Sequence, residues 1–138
     1  LNDTSGAVKY RTKKVHLTAA QIKTLSSIPV DLVAAPGLGN VNHLLSLFVK
    51  YNFVSVDFTQ IGVGVIAQGN IITDSTRVVS SPFVGISGIY ESTDSLGLGL
   101  PATPPMIANT KLQLTADTDS GIGDGSIDVY ITYSIVTL

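Results

Sequence analysis

The chain has 138 residues, the size of a single domain, and contains no cysteine. Charged residues make up only 13% of it, against about a quarter in an average soluble domain. Hydrophobic residues make up 44%, and the mean hydropathy is +0.38. The lack of cysteine excludes disulfides, cysteine-ligated metals and a thiol nucleophile. So low a charge suggests either a membrane protein or a surface that faces other proteins.

The hydrophobic stretches are too short for a membrane protein. A membrane-spanning helix needs about 20 consecutive apolar residues, and the best stretch, residues 41–56, is interrupted by Asn42, His43 and Lys50. Disorder is excluded as well, because the apolar content is high and the net charge is only −2. We therefore predict a compact domain that does not enter a membrane and that hides part of its surface in an assembly.

The composition favours β structure with one short helix. Val, Ile and Thr together supply 42 of the 138 residues, and such β-branched side chains suit strands. Thr18 followed by Gln21 is a capping box, and Ile22 and Leu25 follow at helical spacing. These residues predict a helix over 19–25, with its apolar side closing one end of a sandwich or barrel.

Alternating apolar residues predict short strands along the rest of the chain. The longest early stretch, 41–58, is predicted as one strand or as two strands that divide near Tyr51 and Asn52. Residues 126–138 alternate most regularly, and Asp124-Gly125 before them is a common hairpin dipeptide. We therefore predict that 126–138 forms a hairpin with the strand at 111–115. Further strands are predicted at 30–33, 61–66, 71–72, 77–79 and 83–90.

The charges divide the chain into a basic start and an acidic body. Residues 1–23 carry a balance of +4, and residues 24–138 carry a balance of −6. We predict a basic N-terminal arm at 1–14 and a β-sandwich domain at 15–138. The arm would dock onto an acidic partner, or it would be a loose, solvated terminus. Its candidate partner-binding residues are Lys9, Arg11, Lys13 and Lys14.

A second candidate binding segment is the predicted loop at 91–105, which is unusually long for a compact domain. It presents Leu96, Leu98 and Leu100 at a spacing of two, each next to a glycine. These leucines would either contact another subunit or pack into the core of their own domain.

The sequence contains no recognisable catalytic machinery. Two histidines, His16 and His43, are too few for a zinc site, and no serine lies in the context of a nucleophile elbow. Glu91 is the sole glutamate and tryptophan is absent, which disfavours a glycosidase and weakens a carbohydrate-binding module. Nucleic-acid binding is disfavoured because it would rest on the basic arm alone. We therefore expect a protein that is not an enzyme.

A calcium loop is the best metal candidate, although we predict no cofactor. Asp117 and Asp119 resemble the start of such a loop, and Asp128 is its twelfth position. Ile122 stands where the loop needs glycine, and the bidentate glutamate is missing. The alternative is a hairpin loop that uses Asp, Ser and Gly for their turn chemistry.

Several segments together resemble a group of small virion proteins of tailed phages. They are the capping-box segment LTAAQIK at 17–23, PVDLV at 29–33 and APG at 35–37. Near the other end they are GDGSI at 123–127 and VYITY at 129–133. These are turn and strand patterns, and none of them identifies an active residue.

The resemblance covers residues 15–50 and 108–137, and residues 55–105 carry no matching pattern. It implies a phage head protein of the cementing or decoration type, a small β-barrel or jelly roll that clamps capsid subunits together. The fold prediction is an all-β, jelly-roll-like sandwich or barrel with one short helix near the N-terminus. The predicted function is a virion structural protein that binds the major capsid protein and associates with itself, with a dimer favoured. The alternatives are a receptor- or glycan-binding module that uses the 91–105 loop, and an enzyme.

Overall fold

The computed structural model describes residues 9–58, 63–67, 70–71, 88–91 and 107–138. In these residues the chain forms eight strands and one short helix, which confirms the predicted all-β class. The elements are β1 (Tyr10–Leu17), α1 (Ala19–Lys23), β2 (Val30–Val33), β3 (Asn40–Asn52), β4 (Val63–Ala67), β5 (Asn70–Ile71), β6 (Gly88–Glu91), β7 (Leu112–Ala116) and β8 (Ser126–Thr137). In the described residues, no helix is long and apolar enough to cross a membrane.

The strands form two antiparallel sheets with a nested order. One sheet has the order β1-β8-β3-β6 and the other the order β2-β7-β4-β5. The first strand therefore pairs with the eighth, the second with the seventh, the third with the sixth and the fourth with the fifth. A long two-stranded ribbon that is wrapped into two facing sheets has this order, which is that of a jelly roll. The predicted jelly-roll-like sandwich is confirmed.

The longest strands, β3 and β8, lie next to each other in the first sheet and supply much of the core. Their registered pair Val49 and Val129 is fully buried, because successive side chains of a strand point to opposite faces of its sheet. The face of β8 predicted to be apolar does point inward. Fully buried side chains of the core include Leu17, Ile22, Leu32, Leu47, Tyr51, Val63, Val65, Leu114, Ile127 and Ile131.

The short helix begins with the predicted capping box. The Thr18 amide donates to Gln21 Oε1 over 3.0 Å, and the Gln21 amide donates to Thr18 Oγ1 over 3.4 Å. Helix α1 ends at Lys23, two residues earlier than predicted. Ile22 and Leu25 are nevertheless both buried in the core, so this segment closes the sandwich as expected.

The predicted hairpin between 111–115 and 126–138 is wrong. β7 pairs with β2 and β4, whereas β8 pairs with β1 and β3, so the two strands belong to opposite sheets. Asp124-Gly125 is therefore part of a connection between sheets. The Asp124 carboxylate accepts the backbone N–H groups of Ser55 and Val56, and these bonds tie the connection to the segment after β3.

The predicted arm at 1–14 differs from the structure in its second half. Residues 10–14 are part of β1, which pairs with β8 along its whole length, and residues 1–8 lie outside the described residues. An edge strand can pair through its backbone alone, so its exposed residues need no apolar alternation. This explains why the sequence pattern there did not indicate a strand.

The other predicted boundaries were partly right. Strand β2 occupies the predicted residues 30–33. β3 ends at Asn52, where a break was one of the two predictions, and residues 53–58 are not a strand. Of the predicted loop at 91–105, Glu91 is the last residue of β6. Its other residues, including Leu96, Leu98 and Leu100, lie outside the described part of the chain.

Candidate functional site

Among the described residues, strand β1 lies at one edge of its sheet and β6 at the other. The register of β1 with β8 runs from Tyr10 opposite Ser134 to Leu17 opposite Ile127. Within the described residues no strand pairs with the other side of β1. An edge of this kind presents a row of backbone N–H and C=O groups that can pair with another chain.

The basic residues predicted to bind a partner lie on or next to this strand. Lys9 directly precedes β1, and Arg11, Lys13 and Lys14 belong to it; all four are exposed. The structure therefore brings the predicted basic residues together, on a paired strand. Successive side chains alternate between the two faces of the sheet, so Arg11 and Lys13 share the core-facing side and Lys14 points outward.

Burial changes along the core-facing side of β1. Leu17 is fully buried and Val15 is partly buried, whereas Lys13 and Arg11 are exposed. The first half of the strand thus extends beyond the hydrophobic core. Charged residues on the inward side of an edge strand are compatible with folding only where the core does not cover them.

Lys13 lies near the facing sheet. Asp31 of β2 is bonded to Lys111, with 3.0 Å between Nζ and Oδ1. The hydrogen bond from Lys111 is the main cause that lowers the pKa of Asp31, and the charge of Lys13 adds a weaker contribution in the same direction. In the described part of the chain, Lys9, Arg11 and Lys13 form no ion pair. Their charges are therefore available to a partner.

Lys14 on the outward side is already engaged. Its Nζ lies 3.5 Å from Asp128 Oδ1 and 5.6 Å from the centre of the Tyr130 ring. The Asp128 charge, followed by Tyr130, raises the pKa of Lys14. An ammonium over an aromatic face is attracted by the negative potential of the ring, so Lys14 helps hold β1 on β8.

Asp128 is the centre of a polar cluster that joins three strands. It lies 2.8 Å from His16 Nδ1 of β1 and accepts from Asn52 Nδ2 of β3 over 3.3 Å. The hydrogen bond with His16 is the largest cause of the lowered pKa of Asp128; burial opposes it, and Asn52 and Lys14 add to it. A buried carboxylate with these partners stabilises the strand order β1-β8-β3.

The outward face of this sheet also carries aromatic side chains that the sequence analysis did not single out. Tyr130 of β8 is paired with Lys14 of β1 on one side and with Phe48 of β3 on the other. Tyr10, at the start of β1, is 69% exposed, and Phe48 is 36% exposed. Alternation along β3 and β8 places Phe48 and Tyr130 among the polar residues of those strands, and that was the available signal.

Two of the three aspartates of the candidate calcium loop, Asp119 and Asp128, have different partners. Asp119 accepts from the backbone N–H groups of Ser26 and Ser27, whereas Asp128 is bonded to His16 on another strand. The hydrogen bond from the Ser27 hydroxyl is the main cause of the lowered pKa of Asp119. Among the described residues, no group of three or more His, Asp or Glu side chains is arranged to hold a metal ion. Asp119 fastens its loop to residues 26–27, and Asp128 joins neighbouring strands.

Comparisons with known proteins give one structural likeness. No protein-family model matches the chain, and no curated protein matches it. A solved structure described as the cyanophage Pam1 capsid asymmetric unit contains a chain that is 18% identical to this one, with a TM-score of 0.47. The match covers 92% of this chain and 84% of the other.

Proposed function

We propose that this protein is a virion structural protein that cements or decorates an icosahedral phage head by binding major capsid subunits. The observation that carries the proposal is the basic edge strand. Lys9, Arg11 and Lys13 are exposed and form no ion pair in the described residues. Residues 24–138, by contrast, carry a net negative charge. The sequence resemblance to small phage head proteins points to the same class.

In the proposed function the protein acts by binding alone, without catalysis. An exposed basic strand attracts an acidic capsid surface and orients the protein as it docks. A phage head carries many copies of each subunit, so modest contacts add up over the whole shell, and more so if the protein binds as a dimer. The low overall charge fits a protein whose surface is largely covered by neighbours.

The test is co-sedimentation with heads assembled from the major capsid protein of the phage that encodes this chain. Deletion of residues 1–14 is unsuitable because it would remove most of β1. We would instead compare the wild type with Arg11→Glu and with Lys23→Glu, which changes the charge equally but lies on α1. We expect Arg11→Glu to lower the affinity roughly tenfold at low salt, with Lys23→Glu close to wild type.

Equal binding of all three proteins would contradict the proposed role of the edge strand. Absence of any binding to heads would contradict the capsid function itself. Binding to host cells or to a glycan array in that case would favour a receptor- or glycan-binding module. Sedimentation of the isolated protein tests the proposed dimer separately.

A further inference from the structure

We infer that the open side of β1 is a docking site for an extended, acidic segment of a partner protein, which adds to the sheet as a fifth strand. This inference rests on the proposed function, because it specifies how the same basic strand would hold its partner. Strand addition of this kind gains affinity from main-chain hydrogen bonds and specificity from alternate side chains.

The geometry of β1 suits such an addition. The strand is regular over eight residues, and its pairing with β8 shows no register shift. Eight residues of strand span about 26 Å, which is enough for a partner to make several backbone hydrogen bonds. Residues 10–14 are all exposed, so a segment that approaches the first half of β1 meets no core side chains.

The charge of β1 disfavours a second copy of the same strand as the occupant. Arg11, Lys13 and Lys14 lie within four residues, so two antiparallel β1 strands would place basic residues opposite or beside one another. Like charges directly opposite each other destabilise a strand pair. The occupant is therefore a different segment, and its charge is negative.

The side-chain directions specify where the negative charges of the partner belong. Residues that face each other across a strand pair lie on the same side of the sheet. Lys14 is engaged by Asp128 on the outward side, whereas Arg11 and Lys13 on the inward side form no ion pair with any described residue. Acidic residues spaced by two along the added strand would face Arg11 and Lys13, and the intervening residues would lie beside Thr12.

The probe is a fluorescein-labelled peptide of eight residues in which glutamate and threonine alternate. A matched peptide carries N-methyl groups on alternate amides, which keeps its charge but removes the donors along one edge. Binding of both to the full-length protein is measured by fluorescence anisotropy at low salt. Hydrogen exchange then locates the protected amides.

If a strand is added to β1, the unmethylated peptide binds at least about tenfold more tightly than its methylated counterpart, because only it completes the backbone hydrogen bonds. Among residues 10–14, the amides that point away from β8 gain protection. Arg11→Glu weakens binding roughly tenfold, whereas Lys23→Glu leaves it within about twofold of wild type.

Equal affinity for the two peptides would overturn the inference, since attraction would then be purely electrostatic. So would protection elsewhere in the chain, no binding of the peptide, or tighter binding of an eight-residue oligothymidylate. If heads bind the protein while the peptide fails, strand addition is wrong and the capsid function stands. If the peptide binds while heads do not, the capsid function is wrong and the docking edge stands.

Discussion

Asp124 and Val56 are joined by two hydrogen bonds that run in opposite directions. The Val56 amide donates to Asp124 Oδ1 over 2.8 Å, and the Asp124 amide donates to the Val56 carbonyl over 3.2 Å. The Ser55 amide adds a third bond to the same carboxylate, over 3.0 Å. These three hydrogen bonds hold the connection between β7 and β8 on the segment that follows β3. They thereby fix the point at which the chain passes from one sheet to the other.

Replacing Asp124 by Asn should lower the urea midpoint at pH 7. Asn keeps one acceptor oxygen but loses the charge and the second acceptor, so the bonds to Ser55 and Val56 weaken. The measurement is urea denaturation followed by far-UV circular dichroism. An unchanged midpoint would mean that this carboxylate does not hold the connection.

The same variant should change the pH dependence of stability. The hydrogen bonds from Ser55, first through its side chain, and from Val56 lower the pKa of Asp124 below its ordinary value. The native state thus binds fewer protons than the unfolded state near pH 4, and stability rises with pH there. The wild type loses this contribution as the pH falls through the folded-state pKa, so its advantage over the variant should shrink between pH 7 and pH 2. A constant difference in stability between pH 7 and pH 2 would contradict this.

Replacing Asp128 by Ala should destabilise the protein by about 2 kcal/mol, because a buried, charged acceptor is removed from His16, Asn52 and Lys14. Urea denaturation at pH 7 gives the free energy of unfolding. The matched control is Thr12→Ala on the neighbouring edge strand β1, where the Thr12 hydroxyl lies 3.2 Å from that of Thr132 in an exposed pair. That change should stay within about 0.5 kcal/mol. Equal losses for both variants would mean that the cluster is only a surface interaction.

Local sequence patterns predicted those elements whose structure depends mainly on residues close to one another in the chain. The alternation over 126–138 and the capping box of Thr18 and Gln21 are local signals, and each placed its element nearly correctly. The hairpin failed because Asp124-Gly125 carries a local turn preference, whereas the partners of Asp124 are Ser55 and Val56, 69 and 68 residues away. Nothing near Asp124 in the sequence indicates those partners.

The candidate site was predicted in its residues but not in its structure. Charge asymmetry along the chain identified Lys9, Arg11, Lys13 and Lys14 without reference to the fold. That most of them lie on a strand depends on pairing with β8, over 110 residues later, and pairing at such a distance leaves no pattern in an exposed, charged segment. The cluster around Asp128 was missed for the same reason, since its members come from three strands.

Asn42 lies near the start of β3, whereas Asp124 contacts the segment after the end of β3. The hydrogen bonds of Asn42 test how the two sheets are joined near the start of that strand. Its Nδ2 donates to the Ala34 carbonyl over 2.9 Å and to the Thr110 carbonyl over 3.1 Å, and the residue is only 5% exposed. Asn42→Ala should cost about 1–3 kcal/mol, because it leaves the two carbonyls without this donor. Asn42→Asp should cost more at pH 7, because it sets a buried carboxylate against both carbonyl oxygens. Urea denaturation of both variants checks the order, and a more stable Asp variant would contradict it.

Gly125 should not tolerate a side chain, whereas Gly121 should. A Cβ at Gly125 would lie 2.7 Å from Tyr51 Cε2 and 2.8 Å from the Asn52 carbonyl oxygen, while one at Gly121 would meet nothing within 4 Å. The Asn52 carbonyl belongs to β3 and cannot move aside as a flexible side chain would. Gly125→Ala should therefore cost about 1–3 kcal/mol through overpacking, and Gly121→Ala should stay within about 0.5 kcal/mol. Both are measured by urea denaturation, and equal effects would mean that β8 does not begin in close contact with the end of β3.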